Sequence, residues 1–132
     1  MIILDTCALI YDALAPEKLG KRAKKQIITA DKTGLLACSD ISLWEIGMLI
    51  EKKRIEIATS TVEFLDLLLH ARNIQVLSIT PEIAEISTHY PHFNHFDPAD
   101  RIIAATTLHH HGKLVTCDKK ISQLPDISIL WD

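Results

Sequence analysis

Five short apolar runs punctuate the chain, at residues 1–5 (MIILD), 34–38 (GLLAC), 74–79 (IQVLSI), 113–117 (KLVTC) and 127–131 (ISILW). Runs this short and this continuously apolar predict strands covered on both faces, as in a parallel sheet. Between them apolar residues recur at helical spacing, over approximately 6–14, 17–32, 40–54, 60–72, 81–89 and 98–111. The alternation predicts an α/β domain with a doubly wound sheet and right-handed crossovers. There is no internal repeat, low-complexity tract or linker. The 132 residues suffice for one domain over 1–132 and are too few for two ordinary ones.

Composition narrows the class. Hydrophobic residues make up 48% and charged residues 23%, which fits a folded globular domain. Cys7, Cys38 and Cys117 are odd in number and lack CxxC spacing, so free thiols in a reducing compartment are expected. The N-terminus has no basic region ahead of its apolar run, and no apolar stretch approaches the roughly 18 residues of a membrane span. A soluble, cytoplasmic protein is therefore expected. The formal net charge of −3 excludes a protein that coats nucleic acid by bulk positive charge, but not an enzyme with an acidic centre.

Ligands of open α/β sheets bind outside the carboxyl ends of the strands. Asp5 ends the first apolar run, Ser39 and Asp40 follow the second, and Thr116 to Asp118 close the fourth. If the first and fourth strands are neighbours, each delivers an aspartate to the same rim. Asp5 also suits the N-cap of the helical pattern that follows it. Glu45 sits in ISLWEIGMLIEKKR with Ile41 and Leu49 one turn to either side and Met48 flanking the same face. A carboxylate on so apolar a face needs an ion pair or a coordinated cation. In HFDPADRIIAATT, Asp97 suits an N-cap, Pro98 the first helical position and Asp100 the third, near the positive end of the helix dipole. Asp97 and Asp100, three residues apart, can also point from one face toward a common centre. Asp118 is placed either to cap a turn or to join that centre. Carboxylates gathered in one place raise one another's pKa, and magnesium or manganese is their natural counterpart.

Three segments carry a specific resemblance: LDTCALI, then SDISLWEIGMLIEKKRIE, then FDPADRIIAATTLHHHGKLVTCDKKI. Their S-x-x-x-x-W-E-I, D-P-x-D-R-x-I-A-A and T-x-D motifs, in that order, resemble the PIN domain, and within it the VapC-like toxins of toxin–antitoxin pairs. The resemblance covers essentially the whole chain. It implies a three-layer α/β/α sandwich with a central parallel sheet and an acidic pocket for one or two Mg2+ or Mn2+ ions. It also implies hydrolytic, endonucleolytic cleavage of RNA, a homodimer and a cognate antitoxin. By this likeness Asp5, Glu45, Asp100 and Asp118 match the family's acids, with metal held directly or through water. Asp97 matches an extra acid of many VapC-like members, and Thr6 and Thr116 are supporting residues. A carboxylate, Asp118 or Glu45, would orient the attacking water.

Other features have simpler accounts. Lys18, Lys21, Arg22 and Lys25 form a basic stripe opposite Leu19, Ala23, Ile27 and Ala30, read as a solvated helix face or as a grip on RNA phosphates. Lys52, Lys53 and Arg54, and likewise His109 to His111 ahead of Gly112, suit helix C-termini. Pro91 interrupts any helix that would align His89, His92 and His95 on zinc. A phospho-receiver would carry paired acids at the first strand, and a haloacid-dehalogenase-like phosphatase a D-x-D there, where this chain has Asp5 and Cys7. The alternative to a nuclease toxin is a non-catalytic or non-toxin nucleic-acid-binding module on the same fold. The helix at 60–72 has more apolar side chains than one buried stripe needs, so part of that surface is expected to receive a partner.

Overall fold

The computed structural model describes residues 1–132. Five strands, β1 (Ile2–Leu4), β2 (Leu36–Ser39), β3 (Ile74–Leu77), β4 (Lys113–Val115) and β5 (Ser128–Leu130), form one sheet in the order β3-β2-β1-β4-β5. Every neighbouring pair is parallel. Six helices connect them: α1 (Thr6–Leu14), α2 (Lys21–Thr33), α3 (Asp40–Glu51), α4 (Thr61–Ala71), α5 (Pro81–His89) and α6 (Pro98–His110).

The two-residue side-chain period divides the central strands between two cores. Ile2, Leu4, Leu36, Cys38 and Val115 face one side, where α1, α2 and α4 pack through Leu9, Ile27, Phe64 and Leu68. Ile3, Ala37 and Leu114 face the other, against Ile83 of α5 and Ile103 and Ala104 of α6. Helix α3 serves both, with Ile46 in the first core and Ile41 against the second. The result is a three-layer α/β/α sandwich around a parallel sheet.

The edges depart from the expected two-sided burial. In β3 only Ile74 and Leu77 are buried, and in β5 only Leu130, because each edge strand has a neighbour on one side alone. The helix expected at 17–32 is a 3-10 turn (Pro16–Lys18) followed by α2, since Leu19 and Gly20 are extended. Helix α3 ends at Glu51, and Lys53 takes φ 57°, so Lys52 to Arg54 lie just past the helix. The stop of α6 is His111, in the left-handed region at φ 53°. Gly112 is closely approached: a Cβ there would meet Ile3 Cδ1 at 3.0 Å and the Met1 carbonyl at 3.2 Å, tight enough that these neighbours would have to give.

Gly20 fixes the other end of the sandwich. It caps α2 against the C-terminal strand, and the Ala23 amide donates to the Trp131 carbonyl at 2.9 Å. A Cβ on Gly20 would fall 2.2 Å from that carbonyl oxygen, which backbone cannot yield without moving. Gly20→Ala is therefore expected to cost about 2 kcal/mol, roughly 7 °C in Tm for a chain of this size. Thermal unfolding followed by circular dichroism measures it. An unchanged Tm would show that the C-terminal strand is free to shift.

Candidate active site

The strand order reverses at β1, with β2 and β3 on one side and β4 and β5 on the other. Leu4 pairs with Val115, and the Asp5 amide continues the ladder to the Val115 carbonyl at 3.2 Å. The adjacency that the sequence left open is thus met. A cleft of about 300 Å³ opens at this point, lined by Asp5, Thr6, Cys7, Ile10, Glu45, Leu49, Asp100, Ile103, Cys117 and Asp118. It contains all four principal acids, delivered by β1, α3, α6 and the turn after β4.

Asp5 is only 6% exposed. One oxygen, Oδ1, accepts from the Ala8 amide at 2.7 Å and so caps α1. Burial drives its pKa up to about 6 against the pull of the Thr116 hydroxyl and the Ala8 amide, and Asp118 and Glu45 add repulsion. Asp100 is likewise raised to about 6, first by burial, then by Glu45, Asp118, Asp97 and Asp5. Asp100 therefore lies within the field of the other four carboxylates.

No lysine, arginine or histidine of the chain forms an ion pair with Glu45. It is half-buried on the cleft wall, and the Thr6 hydroxyl hydrogen-bonds its Oε1. Thr6 Oγ1 also lies 3.0 Å from Ser42 Oγ. A hydroxyl has one proton, so Thr6 gives it to the charged carboxylate and Ser42 donates to Thr6. Fully buried Ser42 thus holds the residue that holds Glu45. Sequence reasoning missed it; its signal was the three-residue spacing to Glu45 on α3.

Asp118 caps a turn and also lines the cleft. Its Oδ1 accepts from the Lys120 amide at 2.8 Å and the Ile121 amide at 3.1 Å, fixing the following turn, and Oδ2 has no protein partner. Buried Thr116 accepts from the Asp118 amide at 3.0 Å and braces the same turn. Asp97 occupies the N-cap position of α6, yet its side chain makes no capping bond. It is exposed, lies outside the residues lining the cleft, and acts on Asp100 through charge.

No lysine, arginine or histidine side chain forms an ion pair with any of these five acids within 4.0 Å; the chain's ion pairs are Arg72 with Asp12 at 3.1 Å and with Asp31 at 3.4 Å. Arg101, next to Asp100, donates instead to the Phe96 carbonyl at 3.0 Å. An oxygen-rich donor set without a protein cation fits a hard divalent ion. No three of the side chains close into a ready-made cage. All three cysteines are free; Cys38 is buried and pushed up to about 12 by burial, whereas Cys7 is half-buried and Cys117 exposed at the cleft.

The raised carboxylates set a pH dependence. Asp5 and Asp100 bind protons in the folded chain at pH values where the unfolded chain, at 3.8, has released them. Their stabilising contribution is complete below 3.8 and is lost as pH rises through about 6. The metal-free chain should gain stability relative to Asp100→Asn as pH falls from about 7.5 to 5. Any Tm gain that a divalent ion gave by binding these carboxylates would shrink over the same window, because protons would compete for them. Differential scanning calorimetry of both proteins in chelator and in manganese reads this. An identical pH slope in the two would contradict it.

The sequence pattern of the PIN domain matches residues 2–127. Ribonuclease VapC22 of Mycobacterium tuberculosis strain H37Rv is 32% identical over 120 residues, covering 91% of this chain and 88% of the relative. Among solved structures, VapBC2 from Rickettsia felis bound to a DNA fragment from their promoter superposes with a TM-score of 0.77 at 19% identity, all of both chains being covered. DNA-bound VapBC from Salmonella typhimurium gives 0.69 at 18% identity, over 97% of this chain and 95% of that one. At those identities the two structures speak for the fold. The matched span runs from the first strand to the threshold of the last, and the chain belongs to the PIN-domain family.

Proposed function

We propose that the chain is a metal-dependent endoribonuclease acting as the toxin of a toxin–antitoxin pair. The observation that carries this is the meeting of Asp5, Glu45, Asp100 and Asp118 in one cleft with no cation of the protein to balance them. The named relative, a VapC ribonuclease, supports RNA as substrate. Asp5 and Asp100 would hold Mg2+ or Mn2+, with Asp118 and Glu45 contributing directly or through water and Asp97 through its charge on Asp100. The ion, when bound, lowers the pKa of a water and neutralises charge on the phosphate. The chain's own part is positioning. Thr6 and Ser42 fix Glu45, and the 118–121 turn fixes Asp118, so each presents an acceptor oxygen that can orient a water toward phosphorus. No side-chain nucleophile is required.

Partner surfaces support the toxin reading. Helix α4 leaves Val62 69% and Leu67 64% exposed. Between α1 and α4 lies a groove of about 510 Å³ lined by Asp12, Ala13, Phe64, Leu67, Leu68, Ala71 and Arg72. An antitoxin helix laid in this groove would bury the apolar residues and carry a basic side chain toward the acidic cleft. A homodimer is part of the same reading, and Trp44, 59% exposed on α3, offers it a further apolar contact. No helix of the chain is long and apolar enough to cross a membrane.

Asp5→Asn and Asp100→Asn should each lower manganese-supported RNA cleavage by at least ~100-fold, about 2.7 kcal/mol of transition-state stabilisation, while far-UV circular dichroism is unchanged. Asparagine still caps α1 at position 5. Asp97→Asn should have a smaller effect, since Asp97 reaches the cleft only through its charge on Asp100. Full activity in either of the first two variants would sink the assignment, and RNA binding without cleavage in the wild type would leave a binding module.

The partner is tested by adding the product of the adjacent upstream gene to the cleavage assay, with light scattering of the chain alone for its dimer. Leu67→Glu should weaken inhibition by at least ~30-fold, the loss of a buried leucine at an interface, with cleavage itself intact. Inhibition unaffected by Leu67→Glu would place the antitoxin elsewhere.

A further inference from the structure

Helix α2 begins with charges that its own folding opposes. Lys21 and Arg22 occupy the first turn, where the helix dipole favours acids, and no acid is present there. Lys21 and Lys25 stand four residues apart, and Arg22 and Lys25 three, so like charges repel along one face. Between Glu17 and Asp31 the chain has no acid at all, in a protein whose net charge is −3. Lys18, Lys21, Arg22, Lys24 and Lys25 are all exposed, and none is paired to a carboxylate. A merely solvated face would mix its signs. This one accumulates like-charge repulsion that a bound polyanion would relieve.

The position of the patch says which polyanion. Cys7 lines the acidic cleft, and Tyr11 stands one helical turn further along α1. The Lys18 ammonium lies 5.5 Å above the Tyr11 ring, and the Trp131 ring is 6.4 Å from it, centroid to centroid. Trp131 in turn receives the start of α2 through the Ala23 amide. Tyr11 and Trp131 are half-buried, so both keep ring surface open to solvent. A continuous path therefore leads from the cleft wall, over two aromatic side chains, to an unbalanced row of cations.

We propose that the 3-10 turn at Lys18 and the first two turns of α2 form a track for the single-stranded flank of the RNA, its phosphates on Lys18, Lys21, Arg22 and Lys25 and a base against Tyr11 and Trp131. The track rests on the ribonuclease reading of the cleft, which it extends. Backbone contacts of this kind give affinity without sequence preference, and aromatic faces accept any base. They also solve a problem specific to an acidic site: a polyanion approaching carboxylates is repelled unless a cationic surface beside them holds it.

The test replaces Lys18, Lys21, Arg22 and Lys25 together by Gln, which keeps side-chain length and helix propensity. Binding of a fluorescent single-stranded 20-mer RNA is measured in the Asp100→Asn background across a salt series. Four lost phosphate contacts should reduce the slope of log affinity against log salt by about 2–3. Affinity at about 0.1 M salt should fall at least tenfold. In the otherwise wild-type chain with manganese, KM for the 20-mer should rise at least tenfold and kcat stay within about twofold, while a dinucleotide, too short to reach the track, is affected far less. A reduced slope supports the track even if the chain binds RNA without cutting it, so its outcome is separable from that of the nuclease reading. An unchanged slope and affinity, or no RNA binding at all in the Asp100→Asn chain, overturns it. Loss of affinity only for the upstream gene product, with RNA binding intact, would assign the patch to a protein partner and equally overturn it.

Discussion

Parallel pairing of β1 with β4 is the contact on which the site depends. The two strands are more than a hundred residues apart in the chain, yet Leu4 sits beside Val115 and the ladder extends one rung further through the Asp5 amide. Beyond that rung both chains must leave the sheet at the same height. Asp5 turns into α1 and Thr116 to Asp118 turn toward β5, so two aspartates are delivered to one point by backbone hydrogen bonds alone. A slip of one residue would reverse the side chains of β1, moving Ile3 out of one core and Ile2 and Leu4 out of the other. The packing of both layers therefore enforces the register that the site needs.

The acids illustrate why structural and chemical roles need not compete. A carboxylate has two oxygens and about four lone-pair directions. Asp5 spends one oxygen on the Ala8 amide, and Asp118 spends one on the Lys120 and Ile121 amides. In both, the capping bond is what fixes the direction of the carboxylate in the cleft. Capping and the catalytic role proposed for these positions would use one arrangement. Asp97 shows the converse: its cap position is formed and its side chain makes no bond, so folding of α6 does not account for its charge. Pro98, preset for the helix, makes that bond dispensable.

Much of this was legible in the sequence because it follows from periodicity. Continuous apolar runs gave the strands, and the acids stood where such runs ended. The motif order tied Asp5, Glu45, Asp100 and Asp118 to one family before any contact was known. What the sequence could not carry were properties of tertiary neighbours. The exposure of Gln75 and Val76 in β3 depends on which strand lies at the edge. The relay from Ser42 through Thr6 to Glu45 joins α1 to α3 across 36 and 39 residues; the spacing of Ser42 to Glu45 on α3 is local, but the link through Thr6 is tertiary. Gly112 looked like a left-handed helix stop and is instead a glycine of close approach, because His111 took the left-handed position.

The electrostatics of the cleft connect stability with function. Burial and mutual repulsion hold Asp5 and Asp100 near 6, so around neutral pH the folded chain keeps carboxylates ionised at a cost in stability. A neutral or ion-paired cleft would fold more easily. Arg101 is one residue from Asp100 and turns away to the Phe96 carbonyl, and Arg72 is committed to Asp12 and Asp31 on α1 and α2. The cations that would relieve the site are thus held elsewhere by the fold. Any divalent ion or basic side chain that reaches the cleft gains the whole of the relief that the protein withholds. An activating ion and an inhibiting partner's cation would draw on the same source of binding energy. Competition between them would then be a property of the cleft itself, and a single acidic pocket would suffice for both the proposed catalysis and its suppression.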